Sequence, residues 1–203
     1  MDLFGGRVVT ELVERYEFGE RMVMSQGVID GADVDGILLD NIPGAKAVEK
    51  ATVEQDRSGT DYWVLHARGD PLSIDVKARN TDFALRGQDD LALEIWSVVD
   101  AVDASGRPLD RHGKVGWTRD VTKRTDYVLW LWRDTGRFCL VPFMMLCRVF
   151  LDKWREWSGH YKSPRQFTPT AGGGGWYSQC VFVPRREVWA AIYRAFGDGL
   201  VTR

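Results

Sequence analysis

The 203-residue sequence predicts a single α/β domain, and three observations carry that expectation. Helical periodicity marks the opening segment, two-residue alternation takes over in the middle, and the two periods then exchange three times toward the C-terminus. The length suffices for one well-buried core, and no linker-like stretch divides it. The predicted order is helix, a run of strands, helix, strand, helix, over residues 1–203.

The first helix is expected from about Val8 to Ser25, with Leu12, Val13, Tyr16, Met22 and Val23 as its apolar points and Gly19 as a break that would leave two shorter helices. Gly27 to Gly44 is turn-rich around one apolar stretch, Ile37-Leu38-Leu39. From Ala51 the period becomes two. Asp61 to Leu65 and Leu72 to Lys77 read as strands joined by a turn at Arg68-Gly69-Asp70-Pro71. Further strands are expected at Leu91–Trp96 and Tyr127–Trp132, with a long polar loop from Asp103 to Asp120 between them. Pro142 to Trp157 reads as a helix, with proline near its first turn and Gly159 beyond its end. Four glycines, Gly172 to Gly175, precede a strand at Trp176–Val183 and read as a mobile hairpin connection, or more sharply as a flap over substrate. Pro184 opens the last helix, Arg185 to Phe196.

Composition excludes several classes. No apolar run approaches the ~20 residues that cross a bilayer, and the N-terminus lacks a basic-then-apolar layout, so a cytoplasmic location away from membranes is expected. Cys139, Cys147 and Cys180 are too far apart for a Cys-x-x-Cys site, and the three histidines form no helical ligand pair, which disfavours structural zinc. The formal charge of −2 argues against a generic basic nucleic-acid binder. Local basic clusters remain, each a solvated surface by default; Arg119, Lys123 and Arg124 are the candidates for nucleic-acid contact because Trp117 lies beside them. Trp117, in a glycine-flanked basic loop, is either a base-stacking residue or a core residue. Serine-hydrolase, zinc-protease and dinucleotide motifs are absent from the sequence.

The chemistry-bearing pattern is Asp61 followed by Asp75-Val76-Lys77. Of seven lysines, only Lys77 stands two positions after an acid. Two carboxylates hold a divalent cation, and a neighbouring lysine stabilises charge on a phosphate or positions a water. On the second strand Ser73, Asp75 and Lys77 share the face opposite Leu72, Ile74 and Val76. Asp61 joins that face if 63 pairs with 75, which needs an odd-length turn or a bulge at Gly69; pairing 64 with 75 turns it away. Glu94 shares a face with Ala92 and Trp96. It becomes a third acid, ligating the metal or orienting water, if that face continues the Asp75 face; otherwise it is a surface acid. Glu20 supplies a further oxygen if the first helix packs across the site, and is otherwise an exposed helical acid.

Gly59-Thr60-Asp61-Tyr62, Ile74-Asp75-Val76-Lys77 and Leu93-Glu94-Ile95 together resemble the PD-(D/E)xK nuclease superfamily, and most of all its small phage and mobile-element proteins. The likeness runs from Asp56 to Ser97 and, more loosely, from Gly116-Trp117 to Tyr127. It implies a restriction-endonuclease-like core, a mixed central β-sheet flanked by helices. It also implies phosphodiester hydrolysis with Mg²⁺ or Mn²⁺, with Asp61 and Asp75 as metal ligands and Lys77 as the catalytic lysine. Thr60 stands where the pattern has proline, and the Gly27–Ala51 segment ahead of the motif is unusually long. The expectation is a metal-dependent endonuclease acting on DNA, with the helix from Phe143 to Trp157 available as a homodimer interface. The alternative is a non-catalytic nucleic-acid- or protein-binding inhibitor that keeps the fold. Under the enzymatic reading, Asp75→Ala or Lys77→Ala abolishes cleavage and leaves the fold intact.

Overall fold

A computed structural model describes residues 33–57, 59–110 and 112–197. The expected helix at 8–25, and Glu20 with it, lies outside the described residues. The architecture is mixed α/β: a central sheet with helices on both faces, extended by a second sheet.

The central sheet is built from β1 (Ala45–Lys50), β2 (Tyr62–His66), β3 (Leu72–Arg79), β7 (Tyr127–Trp132) and β8 (Arg137–Pro142), in that spatial order. β3 and β7 run parallel; the other neighbours are antiparallel. β7 is buried from Val128 to Trp132, as its near-continuous apolar run requires of a strand covered on both faces. The turn-rich stretch read from Gly27 to Gly44 contains a helix, α1 (Val34–Asn41), which Asp33 caps by accepting the Gly36 N–H at 2.9 Å. Val34, Leu38 and Ile42 seat α1 on Tyr62, Val64, Ile74, Val76, Leu129 and Leu131, covering one face of the sheet. A short helix, α2 (Val53–Arg57), links β1 to β2.

The second sheet holds β5 (Pro108–Leu109), β4 (Asp90–Val102), β10 (Gly175–Pro184) and β9 (Arg165–Pro169), with β6 (Lys114–Val115) also paired to β4. Its Leu91, Leu93, Ile95, Val181 and Val183 meet Val128, Trp130 and Trp132 of β7 in a larger core. Helices α3 (Phe143–His160) and α4 (Arg185–Phe196) close that core with Phe143, Leu146, Phe150, Trp157, Val188 and Ile192. The apolar face of α3, read as a dimer surface, thus packs within the chain; Met144 is its exposed large apolar side chain. Among the described residues no helix is long and apolar enough to cross a membrane.

Two expectations need correction. The loop read from Asp103 to Asp120 carries β5, β6 and a 3-10 turn at Trp117–Arg119, short elements without a periodic signature. The four-glycine segment is a packed hairpin end: Gly173 and Gly174 lie so close to Val102, Asp103 and Ala104 that a Cβ on either would collide. Gly175 pairs with Val102 while Cys180 pairs with Glu94, which puts the hairpin about 17 Å along the strand from the level of Glu94. It is no flap over Asp75.

Candidate carboxylate and lysine site

The register between β2 and β3 decides where Asp61 lies. Tyr62 is opposite Ile74 and Val64 opposite Leu72, which leaves Asp61 just before β2, beside the Ile74–Val76 stretch of β3. The pairing differs from both registers read in the sequence, but its connection, residues 65–71, has the odd length that a shared face requires. The Asp61 N–H donates to the Ile74 carbonyl at 2.8 Å, and its carboxylate accepts the Val76 N–H at 2.5 Å. On the other side of β3, Asp126 does the equivalent by accepting the Ser73 N–H at 2.8 Å. The repeated Thr-Asp-Tyr at Thr60 and Thr125 is the signal for this: Tyr62 and Tyr127 both pair with Ile74, so each repeat begins a strand flanking β3.

Asp75 and Lys77 share the β3 face that looks toward the second sheet, since Asp75 pairs with Val128 and Lys77 with Trp130. Asp75 is 2% exposed, and its two oxygens face two ammonium groups. Lys77 Nζ lies 2.6 Å from Oδ1 and Lys123 Nζ 2.8 Å from Oδ2. Burial alone would raise the Asp75 pKa, but Lys77 and Lys123 outweigh it and hold the carboxyl below its ordinary value. Burial likewise works against the Lys77 charge, and Asp75, with smaller help from Asp61 and Glu94, overcomes it and raises the Lys77 pKa. Asp61 is the group left uncompensated. Burial first and the Asp75 charge second push its pKa up to about 7, against the Val76 N–H and Lys77, which act to lower it.

Lys123 was read from the sequence as part of an exposed basic cluster; its side chain is only 10% exposed and points into the site. Gly59 makes room for it: a Cβ there would stand 2.4 Å from Lys123 Nζ, and Gly59 also has φ +96°. Trp117 forms an aromatic wall, with Lys77 and Lys123 Nζ 5.1 and 5.8 Å from its ring centre. Its own support is Trp130 and Phe143, at 6.0 and 6.4 Å between ring centres.

Glu94 lies on β4, in the second sheet, so it is not a strand neighbour of Asp75. Its carboxylate accepts from Ser97 Oγ and from the Trp117 N–H, both at 2.8 Å, which fastens the Trp117 loop to β4. Gly116 permits that approach, since a Cβ would meet the Glu94 carbonyl at 2.4 Å. Arg119 is stacked between Trp96 and Trp154, 4.5 and 4.1 Å from their ring centres, and donates to the Ile95 carbonyl at 3.2 Å. Arg124 is exposed, and its carbonyl accepts from Ser73 Oγ at 2.7 Å. The structure thus joins Asp61, Asp75, Lys77, Lys123 and Trp117, keeps Glu94 at the rim, and places Arg119 in a structural stack.

Among the described residues no three acidic, histidine or cysteine side chains converge as a metal-ligand group. The nearest candidates are the carboxylates of Asp61 and Asp75, close enough for the Asp75 charge to act on Asp61, and hard oxygen ligands of the type magnesium and manganese take. The raised Asp61 pKa, caused first by burial and second by the Asp75 charge, includes a repulsion that a cation beside both groups would relieve. In that respect the residues fit a divalent ion. Comparison with protein-family models, with curated proteins and with solved structures returns no match.

Proposed function

We propose that the chain is a metal-dependent nuclease of the PD-(D/E)xK type, built on a restriction-endonuclease-like core and hydrolysing phosphodiester bonds in DNA. The observation that carries this reading is Asp61 held against β3 by the Val76 N–H, within electrostatic reach of Asp75, with Lys77 on the Asp75 face two residues on. Asp61 and Asp75 would hold Mg²⁺ or Mn²⁺, which when bound lowers the pKa of water and offsets charge on a phosphate. Lys77, 35% exposed in its side chain, can reach a phosphate oxygen or orient the attacking water. Lys123, on the other oxygen of Asp75, is placed to offset negative charge as the pentacovalent phosphorus forms. Trp117 excludes water from one side of both ammonium groups.

One observation favours the alternative of a non-catalytic binding protein with this architecture. Both Asp75 oxygens already have a lysine partner, so the site is neutralised without a cation. Cleavage of supercoiled plasmid and of single-stranded DNA separates the readings. The nuclease cuts with Mg²⁺ or Mn²⁺, stops in EDTA, and loses at least ~100-fold in rate as Lys77→Ala, the size of loss expected for a group acting on the transition state. Cation-dependent cutting that survives Lys77→Ala would refute this assignment.

A further inference from the structure

Beyond Lys77 the same face opens into a groove of about 900 Å³ that the hydrolytic site does not use. Its floor continues the site's own strands. Arg79 is two residues past Lys77 on β3, about 7 Å along the strand, and Ala92 is two residues before Glu94 on β4. β10 supplies the far side, because Phe182 pairs with Ala92 and Cys180 with Glu94. The volume is that of a ligand-sized cleft.

We infer that this groove binds an unpaired nucleic-acid strand flanking the scissile phosphate, so that the substrate is single-stranded or locally opened; the inference rests on the nuclease reading above. Three kinds of group support it. Two aromatic rings carry guanidinium partners: Phe182 lies 5.5 Å from Arg79, and Phe83, 38% exposed, lies 5.5 Å from Arg86. Ring faces next to cations are stacking platforms for bases that have left a duplex. Asn80, Gln88 and Gln166 line the groove with side-chain amides that hydrogen-bond to nothing among the described residues, free to meet base edges. Lys162 is exposed, lines the same groove and has no ion pair among the described residues, which leaves its charge for a phosphate. Asp90 is the opposing charge, and Arg79 already holds it at 3.3 Å. A duplex keeps its bases stacked inward and could not offer them to Phe83 and Phe182.

The test is fluorescence anisotropy in EDTA, where no hydrolysis runs, with a labelled 12-nucleotide DNA strand, the same sequence as RNA, and the DNA duplex. Phe83→Ala, which removes a stacking ring, and Lys162→Glu, which reverses a phosphate-facing charge, are each expected to weaken strand binding about 10-fold and to change duplex binding less than about twofold. The DNA and RNA arms identify the preferred sugar. Strand binding unchanged in both variants, or no strand binding by the wild-type chain, overturns the groove assignment. Hydrolysis is read separately with Mn²⁺. A chain that cuts while both variants bind and cut like the wild type keeps the nuclease and loses the groove; one that binds through the groove yet cuts nothing loses the nuclease alone.

Discussion

At Asp61, burial and the neighbouring Asp75 carboxylate act in the same direction and hold its proton up to about pH 7. A carboxyl whose folded pKa lies above its unfolded value, 3.8, destabilises the fold as pH rises between the two, and the full cost applies above the higher one. Asp61→Asn keeps an acceptor for the Val76 N–H and removes the charge. It is expected to stabilise the chain at pH 8 by on the order of 1–3 kcal/mol, allowing for partial exposure, and to lose that advantage as pH falls toward 4. Urea denaturation across that range measures it, and a variant less stable than wild type at pH 8 would contradict the electrostatic account. Asp75 behaves oppositely. Its removal leaves the Lys77 and Lys123 ammonium groups facing each other in a buried site, so Asp75→Ala should cost about 3 kcal/mol or more. The structure therefore alters the expectation that Asp75→Ala leaves the fold intact. Lys77→Ala, which leaves Asp75 paired with Lys123, is the milder probe of chemistry and should cost less than Asp75→Ala in the same urea series.

Among the elements, the connection from β3 to β4 is fixed by an ionic network rather than by apolar packing. Asp82, 7% exposed, accepts from Arg137 Nε at 2.6 Å and Nη2 at 2.8 Å, and from Thr135 Oγ1 at 3.0 Å. Arg137 also reaches Asp89 at 2.7 Å, and Asp89 is held by Arg185 at the start of α4. The Arg137 hydrogen bonds hold the Asp82 carboxyl well below the usual carboxylate range. Its contribution is therefore complete above the unfolded carboxyl's pKa and is lost as pH falls below about 4. Arg137→Ala should cost about 2–4 kcal/mol at pH 7, and the deficit of Asp82→Asn relative to wild type should begin to narrow only below about pH 4 and still be present at pH 3; thermal unfolding at pH 7 and pH 3 checks both. The network was invisible in the sequence because its members are far apart in the chain. Elements with strong periodicity were legible: Tyr127–Trp132 is β7 and Arg185–Phe196 is α4 to the residue, and α3 and β10 differ from their expected bounds by one to three residues at each end. β1 and β9 alternate poorly, β5 and β6 are two residues long, and β8 runs without a break into α3, so none of these carried a usable signal.

At the scale of the whole molecule, sheet membership was the information periodicity lacked. β4 reads as the next strand after β3, yet it pairs with β10 and begins a second sheet, which moves Glu94 from the expected ligand set to the rim. The acids and Lys77 were legible because Asp-x-Lys on an alternating strand dictates a common face. Lys123 was not, because it reaches Asp75 from a loop whose path the sequence leaves open. The second sheet gives the site its wall and, beyond Lys77, its groove. The claim that joins these scales is that Asp61 and Asp75 form a cation site. Isothermal calorimetry of Mn²⁺ binding at pH 6, repeated in buffers of different ionisation enthalpy, tests it directly. The account predicts binding accompanied by release of about one proton, most of it from Asp61, and loss of that release in Asp61→Asn. Binding of Mn²⁺ with no proton release, or no binding at millimolar Mn²⁺, would contradict it and leave Asp75 as a closed salt bridge between two lysines.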